Sequence, residues 1–261
     1  MANKIGHNEF ISEIKNISDK VSSHILKKEE YTEFNNSNKS IVKYDIPNVG
    51  ISSKDIFCEL NDGKRFISID LKKANFHALK YVNPNIVDNK NTYEEFVSQF
   101  TDNKHIIESK YIRQIIFGKL NPKRISKVEK FITYHILKSL EKIVRLPNIK
   151  FFSHDEIVIE INDNSFLYEN IEKVVYESVS DFNCPVRIEY FTLKAQNPSK
   201  RIGFVKQFDN GFVEFKGCQD IFFAQAFKKY FNLPLIDNDL IYFHEGQVCK
   251  FLFPLKEKEL N

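Results

Sequence analysis

The sequence has few cysteines, and their arrangement points to no site. Its 261 residues contain four, Cys58, Cys184, Cys218 and Cys249, which lie far apart and form neither a CxxC motif nor a Cys/His pair. Such spacing indicates neither a zinc site nor a disulfide framework. We therefore expect reduced thiols in an intracellular, cytoplasmic protein.

Long apolar runs are also missing. No stretch approaches the roughly 20 residues that cross a bilayer, and the N-terminal MANKIGHNEF lacks the apolar core of a signal peptide. The sequence shows no internal repeat and no low-complexity tract. We expect neither export nor a membrane partner. The 42% of hydrophobic residues, with 25 phenylalanines, suffices for a packed core in one compound domain or two small ones.

Positive charge is not spread evenly along the chain. The net charge is +3, yet residues 102–150 carry twelve Lys or Arg against four acids, which is a local charge of +8 and leaves −5 for the rest. A basic segment of this kind is either a solvated helical surface or a footprint for a phosphate backbone. Nucleic acid is therefore one partner to consider.

Apolar periodicity and turn signals predict an α+β chain. Helices are expected at 8–28, through Phe76 and Leu79 to about Asn83, and at 92–100, 106–120, 126–145, 167–182 and 219–231. The Asn-rich run 31–40 is predicted to be a connection. Strands are expected at 64–71 and 186–193, with hairpins at 150–161 and 201–218. This order predicts an antiparallel sheet with helices against one face.

Two carboxylates stand at the ends of predicted strands. Asp70 ends KRFISIDL, and Asp155 lies at the tip of the hairpin KFFSHDEIVIEI. Because buried ionised carboxylates need a partner, they favour either a solvated turn or a metal. If the strands are neighbours, both carboxylates reach one sheet edge. There they can hold two Mg²⁺ ions about 3.5–4 Å apart for phosphoryl displacement, with Mn²⁺ as a substitute.

The segment KYIRQIIFGKL, residues 110–120, is predicted to be an amphipathic helix. One side carries Lys110, Arg113, Gln114 and Phe117, and the other carries isoleucines. If the basic side faces a cleft, Lys110 and Arg113 can bind a triphosphate and Phe117 can lie under the base.

Three further basic residues lie at the end of this segment and just after it. Lys119, Lys123 and Arg124 are expected to extend the positive surface toward template or primer phosphates. The same residues would also suit an ordinary charged surface.

Three segments resemble motifs of the family A DNA polymerases. HDEIVIEI, residues 154–161, resembles motif C. ISIDLKKANFHAL, residues 67–79, resembles motif A, and its DLKKANF part is similar to reverse transcriptases. KYIRQIIFGKL resembles motif B of the fingers helix, although Ile116 stands where the family usually has Asn and Arg113 where it has Lys. The motifs occur in the family's order.

The resemblance implies a polymerase-type palm over 61–196. Only 37 residues separate Gly118 from Asp155, so the fingers, at about 102–150, must be reduced. Residues 1–60 would form an N-terminal helical region with at most a vestigial thumb, and 197–261 an additional C-terminal hairpin-plus-helix α/β extension. Such a chain would be a compact replication polymerase of the viral or phage type.

The same resemblance implies a nucleotidyltransferase that adds nucleotides to a 3′ end, with two Mg²⁺ ions held by Asp70 and Asp155. Glu156 would assist near the primer end, His154 would approach the primer terminus, and Asn75 would lie beneath the incoming sugar. Partners would be nucleic acid, nucleoside triphosphates and a protein bound through 197–261. Two alternatives stay open. One is a polymerase-derived binding module that has lost activity, and the other is a different metal-dependent phosphotransfer enzyme, including a template-independent nucleotidyltransferase.

Overall fold

Most strands of this chain pair into one antiparallel sheet. The computed structural model describes residues 7–37, 41–161, 165–196, 203–244 and 247–252. The strands are β1 (Arg65–Leu71), β2 (Ile149–Phe152), β3 (Glu156–Ile161), β4 (Val186–Ala195), β5 (Phe204–Phe208), β6 (Val213–Lys216), β7 (Ile241–His244) and β8 (Gln247–Lys250). The helices are α1 (His7–Leu26), α2 (Glu29–Asn36), α3 (Ala74–Val82), α4 (Tyr93–Val97), α5 (Lys104–Glu108), α6 (Lys110–Gly118), α7 (Pro122–Leu140), α8 (Ser165–Val179) and α9 (Phe223–Tyr230).

The six-stranded sheet has the order β2-β3-β1-β4-β5-β6, while β7 and β8 form a separate ribbon. Every neighbouring pair is antiparallel. The predicted α+β class with an antiparallel sheet is confirmed. The sheet also continues across residue 197, because Ala195 of β4 pairs with Phe204 of β5. The C-terminal extension therefore begins as part of the sheet.

The alternation along β1 separates two apolar layers. Ile67, Ile69 and Leu71 pack with the buried faces of the helices in the main core. Phe66, on the opposite face, joins a smaller cluster with Phe191 of β4. Successive strand residues point to opposite faces of the sheet. The face of β1 that carries Ile67, Ile69 and Leu71 packs against the helices, which is the one-sided arrangement that the sequence predicts. Fully burying each such side chain stabilises the fold by about 1.5–3 kcal/mol.

Some predicted helix boundaries are wrong. The run 31–40 is not only a connection, because α2 covers its first part with Tyr31 and Phe34 buried three residues apart. The helix predicted over 106–120 is two helices, α5 and α6. Ser109 separates them with an extended backbone, and its hydroxyl accepts a hydrogen bond from Ile112 N. The following helix, α7, already begins at Pro122, capped by the side chain of Asn121.

The C-terminal part has an unusually apolar surface. Its exposed large side chains include Phe223, Phe227, Phe231, Phe243 and Val248. A protein partner on 197–261 would cover such side chains, and this partner stays a prediction. No helix within the described residues is both long enough and apolar enough to cross a membrane.

A buried histidine on α3 makes stability depend on pH. His77 is 4% exposed, and burial, with the charges of Lys80 and Lys73, lowers its pKa to about 4. In the unfolded chain its pKa is about 6.5. The unfolded state therefore binds more protons as the pH falls below that value, and stability is lost between pH 6.5 and 4.

We expect His77→Gln, which is neutral at all pH values, to remove this loss. From pH 7.5 to 5 the wild type should lose about 2 kcal/mol more free energy of unfolding than the variant, as the linkage relation gives. Urea unfolding at the two pH values measures both. His105→Gln, at an exposed position of α5, is the control and should follow the wild type. Equal losses in wild type and His77→Gln would contradict the assignment.

Candidate active site

Asp70 and Asp155 lie together at one end of the central strands. The register of β1 and β3 ends with Asp70 opposite Glu156, and one position further Leu71 N donates to Asp155 O at 2.9 Å. Both carboxylates line one cleft of about 540 Å³. The two strands are therefore neighbours in one sheet, which is the condition under which both carboxylates reach one sheet edge.

Asp70 lies in a crowded electrostatic environment. Burial raises the pKa of its carboxyl to about 6, although the guanidinium of Arg187 opposes the shift. Arg187 Nη2 lies 3.1 Å from Asp70 Oδ2. The negative charges of Asp155 and Glu156 raise the pKa of Asp70 further. A cation at Asp70 would relieve this repulsion.

A third carboxylate, Glu129 of α7, lies at the back of the same cleft. Its side chain is 1% exposed, and its Oε1 accepts a hydrogen bond from Asn75 Nδ2 at 2.5 Å. Burial, followed by the charge of Asp155, raises the pKa of Glu129 to about 8. His154 Nε2 lies 3.4 Å from Asp155 Oδ1 and 3.9 Å from Glu129 Oε2.

The side chain of Thr133 also joins α7 to the hairpin. Thr133 Oγ1 donates to the carbonyl oxygens of Glu129 and His154 at 3.0 and 2.8 Å. Ser153 Oγ accepts hydrogen bonds from the backbone N–H groups of Asp155 and Glu156. These contacts fix the turn that carries Asp155.

Basic side chains of α6 line the same cleft. Lys110, Arg113 and Gln114 of α6 line it, while Ile112 and Ile116 are buried, as the helical periodicity predicts. The guanidinium of Arg113 lies over the ring of Tyr93, 5.6 Å from its centroid. The cleft therefore brings carboxylates and the cations of α6 together.

The turn between β1 and α3 adds two cations. Lys72 and Lys73 line the cleft, and Lys73 has a left-handed backbone with φ of 51°. Its ammonium pairs with Glu94 at the start of α4. A lysine in this backbone conformation is uncommon, so the ion pair helps to hold a strained turn next to Asp70.

Two predicted residues do not face the cleft. Phe117 is 3% exposed and packs in the core, with its ring centroid 6.1 Å from that of Tyr93, so it is not placed to stack under a base. Glu156 lines a separate cavity of about 30 Å³, and its Oε1 accepts a hydrogen bond from Ser68 Oγ. The buried Lys206 borders the same cavity.

Two of the three basic residues that were expected to contact phosphates bind other parts of this chain instead. Lys119 Nζ pairs with Asp19 of α1 at 2.7 Å. Arg124 Nη1 donates to Phe34 O at 2.7 Å and to Ser37 O at 3.1 Å. Lys123 is exposed. Arg124 therefore ties the end of α2 to α7, whereas the cleft cations come from α6, from the β1–α3 turn and from Arg187 of β4.

We expect Arg124→Met to lower the free energy of unfolding by about 2 kcal/mol, since hydrogen bonds from a charged donor are worth about 1.5–3 kcal/mol. Lys123→Met is the matched control, because it removes the same charge one residue earlier and should change stability by less than about 0.5 kcal/mol. Urea unfolding measures both variants. If the two are equally stable, Arg124 does not tether α2.

The sequence reasoning missed Glu129 and Arg187. Glu129 is one of the four acids in the basic segment, and it stands between Val128 and Ile132 in the buried stripe of α7. A carboxylate inside an apolar stripe is a signal that the sequence carries. Arg187 lies 117 residues from Asp70, and only the pairing of β1 with β4 brings them together.

No family model, curated protein or solved structure matches the chain. The chemistry of the cleft therefore rests on its own geometry.

The donors at Asp70 and Asp155 suit Mg²⁺ or Mn²⁺, which prefer carboxylate oxygens. Within the described ranges, no three His, Cys, Asp or Glu side chains are grouped so that they could hold a metal ion. Mg²⁺ is commonly bound by one or two carboxylates together with water and substrate phosphates. The pair Asp70 and Asp155, which shares its cleft with Lys110 and Arg113, fits that pattern.

Proposed function

We propose that the chain is a nucleotidyltransferase that extends a nucleic-acid 3′ end with nucleoside triphosphates. One observation carries the proposal. The carboxylates of Asp70 and Asp155, at the ends of two paired strands, share a cleft with Lys110 and Arg113. A site for a triphosphate with a divalent cation needs both carboxylates and basic side chains, because the cation requires oxygen ligands and the phosphates require positive charge.

In the proposed reaction, the primer 3′-oxygen forms a bond with the α-phosphorus and the bond from that phosphorus to the bridging oxygen breaks, so pyrophosphate leaves. Divalent cations held by Asp70 and Asp155 would lower the pKa of the 3′-hydroxyl and neutralise phosphate charge. Lys110 and Arg113 bind the leaving phosphates through charge-assisted hydrogen bonds. Asn75, fixed by Glu129, lines the cleft where the sugar would lie.

The finer architecture belongs to the same proposal. We infer that residues 61–196, with the strands β2-β3-β1-β4, form a polymerase-type palm and that its reduced fingers lie at about 102–150. Residues 1–60, with α1 and α2, would then be the N-terminal helical region with at most a vestigial thumb. Support comes from the motif order in the sequence and from the cleft that α6 lines together with the two carboxylates.

A second function, a nucleic-acid-binding module without activity, is favoured by the ion pair between Arg187 and Asp70. This pair occupies one oxygen that a cation would need. The two functions differ in one assay, because only the enzyme consumes nucleoside triphosphates.

The deciding experiment is primer extension. End-labelled DNA and RNA primers, with and without template, are incubated with dNTPs or NTPs in Mg²⁺, Mn²⁺ or EDTA. We expect extension that requires a divalent cation. Binding of the primers without extension under any of these conditions would support the inactive module.

A further inference from the structure

Arg187 of β4 is the direct cross-strand neighbour of Asp70. Its Nη2 lies 3.1 Å from Asp70 Oδ2, and its Nη1 lies 3.3 Å from Glu189 Oε1. Among the described residues, no other basic side chain forms an ion pair with Asp70. The guanidinium therefore neutralises a carboxylate that otherwise faces the negative charges of Asp155 and Glu156.

The same guanidinium is well placed to move. Its side chain is 54% exposed while that of Asp70 is 26% exposed, and both residues line the cleft. An ion pair at this exposure is weak, since water and salt screen it. Exchanging the partner of Arg187 therefore costs little compared with breaking a buried pair.

We propose that Arg187 is an exchangeable counter-ion of Asp70. A divalent cation displaces the guanidinium from the carboxylate, and the freed guanidinium then binds a phosphate of the nucleic acid in the cleft. This inference rests on the proposed function, because it needs Asp70 as a cation ligand. It adds a residue that neither the motifs nor the proposed reaction assigns.

The exchange follows from charge and shape. A divalent cation attracts the carboxylate more strongly than a guanidinium does, so the two compete for Asp70 Oδ2. A released guanidinium keeps its fork of parallel N–H donors, which matches two oxygens of a phosphate. Cation and nucleic acid then favour each other's binding by the same factor, as linkage requires.

The first measurement is Mn²⁺ affinity without nucleotide, read from the electron paramagnetic resonance signal of free Mn²⁺. Arg187→Met should bind its tightest Mn²⁺ about threefold to tenfold more strongly than wild type, because a competitor of weak surface ion-pair strength has gone. Arg65→Met is the control. Arg65 lies at the other end of β1 and pairs with Asp209 at 2.8 Å, so its loss removes the same charge away from the cleft.

The second measurement is the binding of a fluorescent single-stranded oligonucleotide in EDTA and in Ca²⁺. In the wild type, Ca²⁺ should strengthen binding by more than about threefold, whereas Arg187→Met should show no such gain.

Arg187→Lys keeps a cation for the folded sheet but cannot span Asp70 and Glu189. The Mn²⁺ affinity of Arg187→Lys should fall between that of the wild type and that of Arg187→Met.

The outcomes separate the two proposals. If Asp70→Asn binds Mn²⁺ as tightly as the wild type, Asp70 is not a cation ligand and the proposed function fails with it. If Asp70→Asn loses Mn²⁺ while Arg187→Met and Arg187→Lys bind Mn²⁺ no more tightly than wild type, only the exchange is overturned.

Discussion

Asp70→Asn and Asp155→Asn should each lower the rate of nucleotide incorporation by at least about 1000-fold. Each change removes one negative oxygen from the proposed cation site with almost no change in shape. Losing about 4 kcal/mol of transition-state stabilisation corresponds to that factor, and charge stabilisation by bound cations is worth several kcal/mol. Single-nucleotide extension under saturating Mg²⁺, followed by rapid quench, measures the rate.

Glu160→Gln is the matched control for this prediction. Glu160 lies on β3 but pairs with Lys64 and Lys150 and does not line the cleft, so its rate should stay within about twofold of wild type. Incorporation by Asp155→Asn at a rate near that of wild type would exclude the proposed mechanism.

Asp70→Asn should raise the free energy of unfolding, although it lowers the rate of incorporation. The raised pKa of Asp70, about 6 against about 3.9 in an unfolded chain, means that stability falls as the pH rises through this window. Removing the charge should therefore raise the free energy of unfolding of the cation-free protein at pH 7 by about 1–3 kcal/mol. The carboxylate is then present at a cost to the fold, as is common at functional sites.

Asn75→Tyr should reject ribonucleotides about 10- to 100-fold more strongly than wild type. Asn75 lines the cleft five residues after Asp70. A ring there would clash with a 2′-hydroxyl, and steric overlap of this size costs about 1–3 kcal/mol. Use of deoxyribonucleotides should change far less. Single incorporation of matched dNTP and NTP pairs measures the ratio.

Asn75→Ala separates bulk from hydrogen bonding. It removes the bond to Glu129 without adding volume, and one such bond is worth about 1 kcal/mol net. The sugar ratio should then change by less than about tenfold. An identical ratio in wild type and Asn75→Tyr would remove Asn75 from the sugar site.

The sequence predicted those parts of the fold that depend on local pattern. The alternation of apolar and polar residues predicted β1 and the hairpin of β2 and β3. The 3.6-residue period predicted the basic and apolar sides of α6. The helix boundaries failed where a single polar side chain decides them. Ser109 divides α5 from α6, and Asn121 begins α7, because a side-chain cap competes with continuation of the helix.

The rest of the cleft depends on contacts between distant segments. The local sequence pattern does not predict that the side chain of Phe117 is buried in the core. It also does not predict that Arg124 donates to the carbonyl oxygens of Phe34 and Ser37, or that Arg187 pairs with Asp70. Glu129 is the exception, since a carboxylate inside an apolar helical stripe is itself unusual.

During folding, the cleft can form only after remote parts of the chain have met. Asp70 joins Asp155 across 85 residues and Arg187 across 117, because β1 lies between β3 and β4. Pairings this far apart lose chain entropy before their contacts compensate for it, which slows folding. A nascent or partly folded chain therefore exposes both unpaired edges of β1, which favours aggregation, and acquires its carboxylate pair only when the centre of the sheet is complete.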